Sequence, residues 1–161
     1  MTYELRKAMP GEEGTMYSMI SERVQWMNEN GIHQWNDTDY LHAYPLEYYR
    51  QNLARIYVLL QKETNRIVSC AILFEEDARW VCDVPAFYIH NFVSAPESPG
   101  AGTLFMQMLE EHARKEGIAY LRLDSAAGNE KLAAYYEKLG FEACGTCQDG
   151  MYRGICRQKK L

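Results

Sequence analysis

The sequence predicts a mixed α/β fold, an α+β arrangement with a mixed sheet rather than a repeated β-α array. Three observations predict it. Short apolar runs of strand length alternate with segments whose apolar residues recur every three to four positions. Turn signals at 64–66 and 148–150 call for antiparallel hairpins. One strand–helix–strand unit, 86–124, calls for a parallel crossover. With 161 residues, 47% of them apolar, the chain suits one domain with a sizeable core, expected to span 1–161.

Each element has a local reason. Tyr3 to Lys7 reads as a short strand, ended by Met9-Pro10-Gly11. In Glu12 to Glu29, Met16, Met19, Ile20, Val24 and Met27 keep near-helical spacing, and Asn30-Gly31 stops the helix. Residues 31–44 are irregular, polar and aromatic. Pro45 opens a second helix to about Arg55. Ile56–Gln61 and Ile67–Phe74 are strands joined at Thr64-Asn65-Arg66, and 75–85 is a charged, aromatic connection. Ala86 to Val93 is a long strand, followed by a Pro/Gly-rich loop. A helix from about Gly100 to Lys115 then buries Leu104, Phe105, Met108, Leu109, His112 and Ala113. Ala119 to Asp124 alternates, with Ala119, Leu121 and Leu123 on one face. Asn129 to Leu139 is a helix with an Asn cap and Gly140 as its stop. Phe141 to Cys156 reads as two strands around Gln148-Asp149-Gly150. The order is β-α-α-β-β-β-α-β-α-β-β, without repeat, linker or low-complexity segment.

Composition excludes several function classes. A net charge of −5 argues against nucleic acid as a partner. The one basic cluster, Arg157, Lys159 and Lys160, is expected to be a solvated terminus. No run is long enough to span a membrane, the N-terminus lacks a signal-peptide pattern, and a cytoplasmic location is expected. The five cysteines fit that. Cys70 is expected in the core. Cys144 and Cys147 have CxxC spacing but lack further zinc ligands and a helix start, so structural cysteines are expected and no metal site.

The segment Phe92 to Leu104, FVSAPESPGAGTL, carries the chemistry. A strand that runs into a Pro/Gly-rich loop and then a helix N-terminus gathers backbone N–H groups and the positive end of a helix dipole. Such a site suits phosphate or pyrophosphate. A doubly wound nucleotide-binding domain would place its loop after the first strand. Here the loop follows four strands.

Two anchors give a family resemblance. The loop, Pro96-Glu97-Ser98-Pro99-Gly100-Ala101-Gly102-Thr103-Leu104, is similar to the R-G-x-G-x-G or Q-x-x-G-x-G loop of the GNAT family of acyl-CoA-dependent N-acetyltransferases. Asn129, Tyr136, Gly140 and Phe141 in NEKLAAYYEKLGF resemble that family's N-x(6)-Y-x(3)-G-F signature. The resemblance covers nearly the whole chain, and GIHQW in 26–45 looks like a subgroup of small bacterial members. Pro99 stands where the family usually has Arg or Gln, and Leu104 where Gly or Ala is usual. Pro brings neither N–H nor charge, and Glu97 adds a like charge beside the expected pyrophosphate.

The resemblance implies acetyl transfer from acetyl-CoA to a primary amine of a small molecule, amino acid or peptide, by direct attack in a ternary complex. It implies that the backbone of Phe92, Val93 and Ser94 pairs with the pantetheine arm, with one N–H polarising the thioester carbonyl. The N–H groups of Gly100, Ala101, Gly102, Thr103 and Leu104 would hold the pyrophosphate. Asn129 would steady the pantetheine arm, and Tyr136 would protonate the leaving sulfur. Alternatives stand beside these roles, a helix cap for Asn129 and a core position for Tyr136. His90 or Glu75 is a candidate base, against a satisfied sheet histidine and a solvated turn. The candidate acceptor wall is the 31–44 segment, with His33, Trp35, Asp37 and Tyr40, together with Tyr88 and His90; the alternative is that Trp35 only anchors its loop. A monomer or homodimer is expected. The alternative function is a degenerate, non-catalytic domain of the same family that binds acyl-CoA or serves as an interaction module.

Overall fold

The structure, a computed structural model, describes all residues 1–161. Its elements follow the expected order except for one additional short helix, Tyr40–Ala43, in the 31–44 segment expected to be irregular. They are β1 (Tyr3–Lys7), α1 (Glu12–Glu29), α2 (Tyr40–Ala43), α3 (Leu46–Gln51), β2 (Ile56–Gln61), β3 (Arg66–Phe74), β4 (Ala86–Ser94), α4 (Ala101–Lys115), β5 (Tyr120–Ala126), α5 (Glu130–Lys138), β6 (Glu142–Asp149) and β7 (Tyr152–Lys160). Short 3-10 turns occupy Trp35–Asp37 and Leu53–Arg55. The seven strands form a mixed sheet in the order β1-β2-β3-β4-β5-β7-β6. Pairs β1/β2, β2/β3, β5/β7 and β6/β7 are antiparallel. The parallel β4/β5 ladder is short, joining Ala86–Tyr88 to Tyr120–Arg122.

Contacts group the chain into two compact units. The first holds 1–73 and 90–108, the second 74–89 and 109–161, so the division falls within β4 and α4. In the first unit Ile20, Tyr49, Ile56, Val58, Leu59 and Ile72 are fully buried, and Cys70 is a core residue as expected. In the second, Tyr88, Leu109, Ala113, Leu121 and Phe141 are buried.

Four further details differ from the sequence reading. The helix expected over Pro45–Arg55 ends at Gln51, because the Asn52 amide donates from Nδ2 to the Tyr48 carbonyl (2.8 Å) and so competes with the helix ladder. In α4 the buried stripe is Ala101, Phe105, Met106, Leu109 and Ala113, with Leu104, Met108 and His112 only half-buried. In β5 Leu121 and Leu123 are buried on one face as expected, but Arg122, on the opposite face, is buried as well. The basic cluster is not a solvated tail. It belongs to β7, where Arg157 is buried and Lys159 Nζ donates to Glu110 Oε2 (2.6 Å) and to the Leu139 carbonyl (2.8 Å).

Candidate functional site

The strand–loop–helix of the first unit begins at β4. Two non-glycine residues in the chain have positive φ, Asn65 in the β2–β3 turn and Asn91 within β4 at φ 54°. A left-handed residue inside a strand breaks the extended geometry and turns the peptide groups after it. The residues re-aimed are Phe92, Val93 and Ser94. Phe92 is half-buried, its ring 5.4 Å from that of Phe105. The Val93 carbonyl accepts from Ser69 Oγ (2.9 Å), and the Ser94 carbonyl accepts from Arg23 Nη2 (2.6 Å). Those two carbonyls are therefore engaged inside the chain. Arg23, which the sequence reading did not single out, also lies over the Trp26 ring at 4.7 Å.

The loop itself is a chain of turns. Ser98 N donates to the Ala95 carbonyl (3.0 Å) and Ala101 N to the Ser98 carbonyl (3.1 Å). Gly100 at φ 85° leads into α4, and Leu104 N donates to the Gly100 carbonyl (3.0 Å). Two of the five expected donors, Ala101 and Leu104, are thus committed within the chain. The amides of Gly100, Gly102 and Thr103 make no hydrogen bond within it. A side chain at Gly100 would meet nothing within 4 Å, and the first turn of α4 holds no acidic residue. Three unpaired amides at an open helix N-terminus fit an anion. The like charge expected from Glu97 is also offset, because its carboxylate pairs with Arg66, the first residue of β3.

The second anchor has a physical reading in the second unit. Asn129 is the N-cap of α5, its Oδ1 accepting from Leu132 N at 3.0 Å. At the other end Gly140, at φ 93°, donates to the Glu137 carbonyl (2.9 Å), and Phe141 N donates to the Tyr136 carbonyl (3.0 Å). That pair of bonds is a Schellman stop. The Phe141 ring meets the Tyr136 ring edge-on at 5.8 Å, the apolar contact that goes with it. The N-x(6)-Y-x(3)-G-F pattern thus spells out one helix and both its ends. Tyr136 is 8% exposed, with Tyr135 edge-on at 5.3 Å. Burial pushes its phenol up, Tyr135 and Asp124 add to that, and Arg157 opposes it. The hydroxyl stays protonated at neutral pH.

The remaining candidates are scattered. Tyr88 is 1% exposed, and its hydroxyl accepts from Arg122 Nη1 (2.9 Å) and donates to Cys82 Sγ (3.4 Å). It has the surroundings of a core residue. Arg122 also bonds the Val81 carbonyl (3.2 Å) and lies over the Trp80 ring at 5.0 Å. Together with Arg79, bonded to Asp124 (3.1 Å) and Asp149 (3.0 Å), it fastens the 75–85 connection. Glu75 is exposed at the start of that connection, while His90 is half-buried in β4. Trp35 stacks on Tyr40 at 4.7 Å in the first unit. All five cysteines are free thiols, and Cys144 and Cys147 lie in β6. Burial, reinforced by Cys147, pushes the Cys156 thiol up to about 12, so it is not a ready nucleophile. No group of His, Cys, Asp and Glu is placed to hold a metal ion, and no helix is long and apolar enough to cross a membrane.

Comparison with known proteins supplies the family. The sequence model of the Acetyltransferase (GNAT) family matches residues 21–141. No curated protein matches the chain. Solved structures share its fold at low identity. A GNAT-family acetyltransferase from Listeria monocytogenes has a TM-score of 0.78 at 22% identity, covering 99% of this chain and 95% of that one. The PaiA N-acetyltransferase of Thermoplasma acidophilum, crystallised with coenzyme A, has a TM-score of 0.74 at 18% identity, covering 100% of each chain. The ribosomal-protein-S18-alanine N-acetyltransferase of Escherichia coli has a TM-score of 0.68 at 19% identity, covering 99% of this chain and 94% of that one. With the family model spanning most of the sequence and a sheet that matches these folds, the chain belongs to the GNAT family of acetyltransferases.

Proposed function

We propose that the protein is an N-acetyltransferase that takes acetyl-CoA and acetylates a primary amine of a small molecule, amino acid or peptide. The observation that carries this reading is the open N-terminus of α4, where the amides of Gly100, Gly102 and Thr103 stand unpaired after a strand with a left-handed residue at Asn91. Acetyl-CoA would supply the activated acetyl thioester.

This chain's residues would do the rest. The three free amides bind the pyrophosphate, each charge-assisted bond contributing roughly 1.5–3 kcal/mol. The amide of Phe92 or Val93, aimed by the left-handed backbone at Asn91, polarises the carbonyl where negative charge develops. Tyr136, neutral at physiological pH as any phenol is though burial makes it a weaker acid, gives its proton to the leaving sulfur. Asn129 already spends its Oδ1 on the helix cap, which leaves its Nδ2 for the donor arm. The acceptor is walled by the aromatic segment around Trp35 and Tyr40, with His90 or exposed Glu75 taking the amine's proton. Tyr88 is left out of that wall because its hydroxyl is engaged by Arg122.

A second reading has its own observation. Pro99 has no N–H, and Ala101 and Leu104 spend theirs within the loop, which suits a degenerate domain with weak or no cofactor binding. Calorimetry with acetyl-CoA and with desulfo-CoA separates the two. No heat at high ligand concentration sinks the cofactor assignment. Where binding holds, Tyr136→Phe is expected to lower kcat by at least tenfold with affinity nearly intact. Unchanged kcat removes Tyr136 from the mechanism. Thiol release across a panel of small amines, amino acids and peptides identifies the acceptor.

A further inference from the structure

Asn91 sits in a backbone conformation that costs an ordinary L-residue about 1–2 kcal/mol. Glycine would fill it most cheaply. Asparagine is tolerated there and adds a side chain with one acceptor and one donor. Both are used. Asn91 Oδ1 accepts from the Tyr48 hydroxyl at 3.1 Å, and Nδ2 donates to the Tyr40 hydroxyl at 2.6 Å.

The two tyrosines belong to one continuous run of rings. Trp35 stacks on Tyr40 at 4.7 Å, Tyr40 meets Tyr44 at 4.8 Å, Tyr44 meets Tyr48 at 4.8 Å, and Tyr48 meets Tyr49 at 5.3 Å. Tyr49 is fully buried and its ring lies 5.9 Å from that of Tyr17 on α1. The segment that carries α2 and α3 is therefore built on rigid aromatic contacts, and two of its hydroxyls close on one strand residue. Burial pushes the Tyr40 phenol well up, so it remains a neutral hydroxyl.

We propose that Asn91 is a positioning residue. Its carboxamide, clamped between Tyr40 and Tyr48, holds β4 in the left-handed turn that sets where the amides of Phe92 and Val93 point. The clamp makes the aim of those amides depend on the seating of the α2–α3 segment. It rests on the reading of the previous subsection, in which those amides polarise the acyl carbonyl. It also makes a structural statement that survives that reading's failure.

The test uses Tyr40→Phe/Tyr48→Phe, which deletes both clamping hydroxyls and keeps Asn91, and Asn91→Gly, which keeps left-handed tolerance and deletes the clamp. Crystal structures give φ at position 91, and steady-state kinetics give kcat and KM for acetyl-CoA. The double tyrosine variant is expected to release Asn91 to negative φ. In both variants kcat should fall by about tenfold or more, because a misdirected donor loses carbonyl stabilisation, while KM for acetyl-CoA stays within about threefold, since the pyrophosphate amides are untouched. A φ at position 91 that stays positive in the double variant overturns the clamp. A released φ with unchanged kcat overturns the positioning role. A wild-type protein that neither binds nor turns over acetyl-CoA overturns the proposed function instead, and the φ measurement still decides the clamp.

Discussion

Helices α4 and α5 begin alike and end up chemically opposite. Each follows a strand through a turn with a left-handed glycine, Gly100 at φ 85° and Gly128 at φ 82°. α5 then closes its own N-terminus, with Asn129 capping Leu132 N and Glu130 in the first turn. α1 carries two acidic residues in its first turn, Glu12 and Glu13, whose carboxylates accept from the amides of Met9 and Gly11 just before the helix at 2.7 Å each. α4 has neither a capping side chain at Gly100 nor an acidic residue in its first turn. A helix start that does not satisfy itself is available to a ligand, and a helix start that does is a folding device.

The largest effect should come from closing the open end. Thr103→Glu places a carboxylate in the first turn of α4, a turn in which α1 carries two. It is expected to weaken acetyl-CoA binding tenfold to a hundredfold, on the order of the 1.5–3 kcal/mol of a charge-assisted bond, while thermal stability holds or rises slightly. Calorimetry showing unchanged affinity would remove α4 from the cofactor site.

Breaking the closed helix should move stability instead. Gly140→Ala forces a Cβ into the left-handed stop at φ 93°, 3.2 Å from Lys159 Cε. It should cost on the order of 1–2 kcal/mol in denaturant unfolding. Asn129→Ala removes the cap and should cost about 1 kcal/mol. If it weakens acetyl-CoA binding more than about threefold as well, Asn129 does more than cap. The Arg66–Glu97 pair on the loop is largely exposed. Glu97→Gln should change stability by less than about 0.5 kcal/mol, and a larger loss would show the loop to be held by that pair.

The smallest effect is expected at α1. The hydrogen bond from Arg6 holds the Glu12 carboxyl below its usual range, against a burial penalty. A depressed folded value means that the stabilisation is fully present above the unfolded carboxylate value. It is lost as pH falls through the folded one. A pH titration of unfolding should therefore show a wild-type advantage over Glu12→Gln near neutrality that fades on acidification. An advantage that grows toward low pH would reverse the assignment.

Local signals carried much of this. Asn129 and Gly140 announce a helix start and stop because capping is decided within a few residues, and the signature that suggested the family proves to be those caps with Tyr136 between them. The Pro/Gly loop was legible for the same reason. Asn91 carried a readable but unused signal, a polar residue prone to left-handed backbone in the middle of the apolar run 86–93. Arg23, Arg66 and the burial of Arg122 carried none, because their partners lie 71, 31 and up to 41 residues away.

The sequence by itself determined the order of the strands and of the helices other than α2, the caps of α5 and the presence of an anion-suited loop, all of which depend on neighbours a few positions apart. Only the tertiary structure decided which loop amides remain free, which carbonyls of β4 are already taken, and that two tyrosines clamp Asn91. Those outcomes are pairings between distant segments, and a pairing is fixed by packing geometry that no local pattern of residues encodes.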